Sequence, residues 1–249
     1  MKSRCIVGLA LPGVLAFGAP ALGQTAPPVA LAPAVAAARR QYATSFGAHP
    51  ELYNGPEYLD YSRRYYTVTG HQFFLSPEAQ PGAVYYNGHD FQNILLTYDV
   101  VLDQVVLSPP QSPLTLRLLN EKVRGFTISG HCFVRLVADS ATRGVIRTGY
   151  YEELLGGPVQ VLARRVKRQQ EHVNHPHIDV EFTANDRLFV RKAGQYHAVS
   201  SKSAVLRLLA DRGKEVQQYA QAHKLRFNKA QREASVLALA TYYTSLPPR

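Results

Sequence analysis

The sequence predicts an α+β fold, in which an antiparallel β meander is followed by two or three C-terminal helices. From about residue 52 to residue 199, short runs rich in Val, Ile, Leu, Tyr and Phe alternate with Gly, Asn, Asp and Pro, a pattern typical of antiparallel strands. After Ser200 the apolar period changes from two to about 3.6, which indicates helices. We expect one globular domain over residues 49–249, β-rich over 52–199 and helical over 200–246, whose strands form a twisted sheet, a sandwich or an open barrel.

The N-terminus has the pattern of a secretory signal peptide over residues 1–23. Lys2 and Arg4 give it a charged start, a short apolar stretch follows, and small residues precede the expected cleavage site. Cleavage there makes Gln24 the first residue of the mature chain, and the Ala/Pro-rich segment over residues 24–48 is expected to be a linker. We therefore expect an exported protein, periplasmic or extracellular, with no transmembrane span in its mature chain.

Turn residues predict how the strands are connected. Asn87-Gly88 predicts a tight turn after residues 84–86, and Asp103 marks the connection that divides the long apolar run of residues 91–107 into two strands. Later hairpins are expected around Gly156–Pro158 and at Ala193-Gly194. The residues 114–119 and 123–128 are expected to form another pair, joined by residues 120–122, and residues 132–137 to continue the meander.

Capping residues predict the limits of the C-terminal helices. Ser201 is an expected N-cap, and Gly213 predicts a kink or a join between two short helices. Asn228 and Gln231 have the spacing of a reciprocal cap at the start of the last helix, which is expected to end before Pro247.

The charge of the chain lies mainly in its last hundred residues. Residues 150–249 contain sixteen of the 28 Lys and Arg residues but only nine of the 18 Asp and Glu residues. Because an exported protein seldom meets nucleic acid, the expected partner is an anionic envelope component or another envelope protein. A solvated surface that keeps the protein soluble is the alternative.

The densest basic group is Arg164, Arg165, Lys167 and Arg168, which we take as the candidate binding residues. Arg offers forked donors suited to phosphate and carboxylate, so these four residues could form an anion-binding strip. The alternative is a strand end that runs into solvent.

Residues 172–179 hold a group of possible metal ligands, namely His172, His175, His177 and Asp179. Imidazole and carboxylate groups bind zinc or copper, but the spacing matches no standard zinc pattern. We therefore expect a solvated loop between hairpins and assign no metal site and no cofactor.

Cys132 is the one cysteine that remains after signal cleavage, and its apolar, strand-like surroundings predict a buried and unreactive thiol. His131 is adjacent to it in a strand and should point to the opposite face, so the two cannot form a catalytic pair. No catalytic residue is assigned. The sequence favours a non-catalytic protein, and a metal-dependent or thiol enzyme of the periplasm is the alternative.

Several motifs spread over most of the chain resemble those of one protein family. They are Gly82 with Tyr85-Tyr86-Asn87-Gly88, residues 93–99 with Asp103, residues 149–157 with Val161-Leu162 and Lys167, residues 201–215, and residues 240–243. Together they resemble uncharacterised exported proteins of Bacteroidota. The resemblance implies export and a role in the cell envelope, and it implies no catalytic residue.

Overall fold

The structure is a computed structural model that describes residues 33, 35–37, 50–109 and 112–247. The chain divides into two units, residues 1–45 and residues 46–249. In the first unit, Pro33 and residues 35–37 are helical and exposed. The expected signal peptide over residues 1–23, and most of the expected linker over residues 24–48, lie outside the described residues.

The described part of the second unit contains thirteen strands and three α-helices, with short 3-10 turns between some of them. The strands are β1 Val68–Thr69, β2 Gln80–Tyr86, β3 His89–Asp99, β4 Gln104–Leu107, β5 Leu116–Arg117, β6 Val123–Ile128, β7 His131–Leu136, β8 Gly149–Leu155, β9 Val159–Arg164, β10 Lys167–Asn174, β11 His177–Ala184, β12 Arg187–Lys192 and β13 Gln195–Val199. The helices are α1 Lys202–Leu208, α2 Gly213–Ala222 and α3 Arg232–Ser245. The predicted α+β class, with an antiparallel meander before C-terminal helices, is confirmed.

Ten strands form one antiparallel sheet that curls into a half-barrel, in the order β13-β12-β9-β8-β7-β6-β2-β3-β4-β5. The turns after Tyr86, before Gln104, around Gly156–Pro158 and at Ala193-Gly194 lie where the sequence predicted them. One predicted pairing is wrong: β5 does not pair with β6, because β6 lies between β2 and β7, and β5 pairs with β4 instead.

One face of the sheet packs against two separate apolar layers. Under β2, β3, β6 and β7 lies an aromatic core, in which the rings of Phe126 and Phe133 stack with centroids 4.7 Å apart and Tyr98 meets both edge-on. Under β9, β12 and β13 the helices supply the second core, with Val205, Leu209, Val216, Val236 and Leu239 all buried. Such burial of aliphatic and aromatic side chains is the main term that stabilises the fold.

Strands β10 and β11 form a hairpin that leaves the large sheet, and β1 joins it in a three-stranded sheet of its own. The expectation of a loop over residues 172–179 is therefore wrong. Strand β10 is polar along almost its whole length and lacks the apolar alternation that identifies a half-buried strand. The hairpin packs through Val180 and Phe182 of β11, which contact Tyr65.

The helical region follows the predicted caps in part. Ser201 Oγ accepts the backbone N–H of Ala204, and α1 and α2 are separate helices joined by a 3-10 turn just before Gly213. Asn228 and Gln231 exchange hydrogen bonds, but the N-cap of α3 is Gln231 and not the predicted Asn228, and the return bond to Gln231 Oε1 comes from the Asn228 side chain. None of the helices in the described part of the chain has the length and apolar character needed to cross a membrane.

Candidate functional site

The predicted strip of Arg164, Arg165, Lys167 and Arg168 lies where the chain passes from one sheet to the other. Arg164 is the last residue of β9 in the ten-stranded sheet, and Lys167 is the first residue of β10 in the three-stranded sheet. Arg165 and Val166 connect the two strands. A change of sheet changes the direction of the side chains, so the four cations do not share one face.

Arg165 is the centre of a cluster of carboxylates. Its Nε donates to Glu152 Oε2 at 2.5 Å, its Nη1 donates to Asp186 Oδ2 at 2.8 Å and to Glu233 Oε2 at 2.6 Å, and its Nη2 donates to Glu233 Oε1 at 3.0 Å. Burial alone would lower the pKa of Arg165, but the hydrogen bonds from Glu233, Glu152 and Asp186 outweigh it and hold the pKa above its ordinary value. The guanidinium has five N–H donors, so this cluster leaves little capacity for an external anion.

Glu152 is the buried carboxylate of this cluster. Residues directly opposite on neighbouring strands share a face. Phe133, Glu152, Ala163 and Leu188 therefore lie in one row on the same face of β7, β8, β9 and β12. Phe133 belongs to the aromatic core, whereas Ala163 and Leu188 belong to the core under the helices. Glu152 is thus the buried polar residue between the two cores, and it also contacts His131 Nδ1 at 2.5 Å.

Two other residues of the predicted strip also have partners within the protein. Arg164 lies 3.6 Å from Asp103 Oδ2, with its guanidinium over the ring of Tyr151. Lys167 Nζ donates to the backbone carbonyls of His71 and Phe73 at 2.8 and 2.7 Å. Burial lowers the pKa of the Lys167 ammonium, while Asp186 and Asp99 act in the opposite direction.

Arg168 is the exposed member of the four, and no carboxylate of the described residues forms a salt bridge with it. Anion binding by all four residues stays a prediction. The geometry shows that Arg164, Arg165 and Lys167 each have a role in connecting parts of the fold.

A second basic group, which sequence reasoning missed, lies between α2 and α3. We call it the basic loop and define it by Lys224, Arg226 and Lys229, all of which are exposed. No carboxylate in the described part of the chain is within salt-bridge distance of any of the three. The sequence signal was present, because residues 223–232 contain four Lys and Arg residues and no Asp or Glu.

The basic loop is held to the helices at several points. Leu225 and Phe227 alternate with its cations and pack against the core under the helices. The backbone carbonyl of Arg226 accepts the hydroxyl of Ser235 at 2.6 Å, and Asn228 caps the following turn. The loop therefore presents its charges from a defined backbone, so less conformational freedom is lost on binding.

Beside the basic loop is a cleft of about 570 Å³, between the β11–β12 connection and the start of α3. Its charged lining residues are Asp186, Lys229, Arg232 and Glu233, and Leu188 and three alanines supply its apolar surface. The cleft therefore borders the Arg165 cluster through Asp186 and Glu233.

The predicted metal-ligand group lies on the β10–β11 hairpin. His172 and Asp179 are opposite each other, but Asp179 accepts hydrogen bonds from the Thr67 N–H at 3.0 Å and from Asn174 Nδ2 at 2.8 Å. The ring of His177 stacks on Tyr66 with centroids 3.9 Å apart. Within the described residues, no three His, Cys, Asp or Glu side chains are grouped in a way that could hold a metal ion.

The prediction that Cys132 is buried is wrong, because the thiol is exposed. Phe133, its neighbour on β7, takes the buried position, and Cys132 therefore points to the other face of the sheet. Partial burial raises the pKa of Cys132, and the nearby Glu153 and Glu152 raise it further. The thiolate, which is the nucleophilic form, is therefore disfavoured at this site.

Comparison with known proteins does not identify a family or a function for this chain. No family model, curated protein or solved structure matches the chain.

Proposed function

We propose that this is a non-catalytic exported protein of the cell envelope that binds an anionic envelope component through the basic loop. The observation that carries the proposal is the exposure of Lys224, Arg226 and Lys229 on an anchored loop, without carboxylate partners among the described residues. Phosphate groups of lipids or lipopolysaccharide are the anions that such a surface would meet in the envelope. Export rests on the sequence pattern of residues 1–23.

The basic loop supports this proposal better than the strip at residues 164–168. Where a cation already donates to carboxylates or carbonyls, an external anion must compete with those groups. Arg165 and Lys167 each donate to several such groups. Of the loop cations, Lys229 donates to one carbonyl, that of Ala184, and none of the three has a carboxylate partner in the described part of the chain. Arg168 remains a candidate contributor from the original strip.

The surroundings of Cys132 argue against the alternative of a thiol enzyme. A thiol nucleophile is normally activated by a neighbouring base or positive charge that lowers its pKa. Here the charged groups that act on the thiol are carboxylates, which raise the pKa of Cys132.

The proposal is tested by cosedimentation of the chain from Gln24 onward with vesicles of phosphatidylglycerol and phosphatidylcholine. A basic residue near an anionic surface contributes about 1 kcal/mol, so replacing all three loop cations by Gln should weaken binding by roughly 100-fold. Wild-type binding should also fall as salt rises, because exposed charges are screened beyond about 8 Å at physiological ionic strength. A parallel series with lipopolysaccharide distinguishes the two sources of phosphate.

The matched control removes three exposed positive charges from other positions, with Arg147, Arg207 and Lys214 changed to Gln. The control variant should keep at least most of the wild-type binding. If both triple variants lose binding equally, net charge and not the basic loop is responsible. If wild-type protein binds neither vesicles nor lipopolysaccharide at low salt, the proposed function is wrong.

A further inference from the structure

The cleft beside α3 contains basic side chains that lack acidic partners among the described residues. Lys229 Nζ donates to the backbone carbonyl of Ala184 at 3.1 Å, and Arg232 Nη1 reaches the carbonyl of Ser200 at 3.4 Å. Arg232 Nε is buried and has no hydrogen-bond acceptor in the described part of the chain. A buried atom is out of reach of a ligand, so a ligand in the cleft would meet Arg232 through its Nη groups.

The same cleft also contains an excess of carboxylate groups. Asp186 and Glu233 both pair with Arg165, and Glu152 pairs with it from the interior, so three carboxylates share one guanidinium. The side chains of Asp186 and Glu233 are 34% and 38% exposed. Their remaining lone pairs are therefore open to solvent, while Arg165 fixes their position.

We infer that this cleft binds a small zwitterion of the amino-acid or short-peptide class. Its carboxylate would pair with Arg232 and Lys229, and its ammonium group would pair with Asp186 and Glu233. A ligand with both charges meets the basic side chains without acidic partners and the surplus carboxylates together, which neither an anion nor a cation does alone. This inference does not rest on the proposed function, although both assign a role to Lys229.

Size and preorganisation fit this ligand class. Ligand pockets commonly have volumes of about 300–1,000 Å³, and this cleft, at about 570 Å³, lies within that range. Ala230 and Ala234 leave room beside the charged groups, and Leu188 supplies an apolar surface for a short side chain. The carboxylates are already held by Arg165, so binding orders few additional side chains.

Isothermal titration calorimetry with the intact protein tests the inference without any mutation. The probes are alanine, alanyl-alanine and trialanine, each compared with its N-acetylated form and its C-terminal amide. At least one free zwitterion should bind, and both blocked forms of it should bind about 10-fold more weakly or worse, because each loses a charge-assisted pair. Equal binding of an acetylated form, equal binding of an amide, or no binding of any free zwitterion would overturn the inference.

Two single variants assign the binding to this cleft. Arg232→Gln and Asp186→Asn should each weaken binding of the zwitterion by about 10-fold, whereas Arg207→Gln, on α1, should leave it unchanged. Asp186→Asn keeps an oxygen acceptor for the Val166 N–H, and urea unfolding of each variant shows whether it is folded. Unchanged binding in both folded cleft variants would place the ligand elsewhere and refute the site. Neither cleft variant changes a residue of the basic loop. Failure of zwitterion binding can therefore be distinguished from failure of vesicle binding.

Discussion

Replacing Arg165 should destabilise the protein strongly, whereas replacing Arg168, three residues away, should have almost no effect. Arg165 is 12% exposed and holds the buried Glu152, which is 4% exposed at its side chain. In Arg165→Gln, Glu152 keeps only the His131 ring as a close side-chain partner among the described residues, and Asp186 and Glu233 lose their shared cation. Breaking a buried ion pair from one side costs about 3–5 kcal/mol, because a charge is left buried without compensation.

Urea unfolding measured by circular dichroism gives the comparison. A loss of about 3–5 kcal/mol should lower the unfolding midpoint by about 1–2 M for a domain with an m-value near the upper end of the usual range. Arg168→Gln should change the free energy of unfolding by less than about 0.5 kcal/mol, as exposed substitutions usually do. The double variant Arg165→Gln with Glu152→Gln should cost less than the sum of the two single variants, because both remove the same interaction.

Equal midpoints for Arg165→Gln and Arg168→Gln would be incompatible with a structural role for Arg165. That result would mean that the carboxylates around Arg165 are well solvated and that Arg165 does not connect the sheets to α3. It would also restore the strip at residues 164–168 as a surface available to an anionic ligand.

Three further predictions concern the thiol and two glycines. In the native state at pH 8, Cys132 should react with a thiolate-directed reagent, but more slowly than free cysteine, because its pKa is raised. The reaction rate should rise about 10-fold per pH unit until the pH passes the pKa of Cys132. Full protection of the thiol without unfolding would contradict its exposure. Gly82→Ala should cost about 1–3 kcal/mol in urea unfolding, because the new Cβ would lie 2.2 Å from the backbone oxygen of Thr127. Gly213→Ala should instead stabilise the protein by about 0.4–1 kcal/mol. Gly213 has helical angles (φ −56°, ψ −38°), and the space at its Cβ position is open. A destabilised Gly213→Ala variant would contradict this expectation.

Local signals in the sequence predicted the local structure well. Asn87-Gly88 and Asp103 favour turn geometry whatever surrounds them, so their turns could be located in advance. Gly213 is a poor helix former, so a break in the helical run could be expected near it. The cap at Ser201 depends on a group three residues away and was also predictable.

Features that depend on distant contacts could not be predicted in the same way. The alternation around Cys132 indicated a strand but not which of its faces would be covered, and Phe133 took the buried side. The polar strand β10 carries no apolar period and has the sequence pattern of a loop. Arg165 looked available to a ligand because its partners Glu152, Asp186 and Glu233 lie 13, 21 and 68 residues away in the chain.

Backbone hydrogen–deuterium exchange, measured with and without phosphatidylglycerol vesicles, shows whether the basic loop is the contact surface. We expect slower exchange on vesicle binding across residues 223–232, with little change over residues 164–174, and loss of this protection in the Lys224, Arg226 and Lys229 triple variant. Protection over the strip at residues 164–168 with none over residues 223–232 would instead assign the contact to the strip and exclude the basic loop.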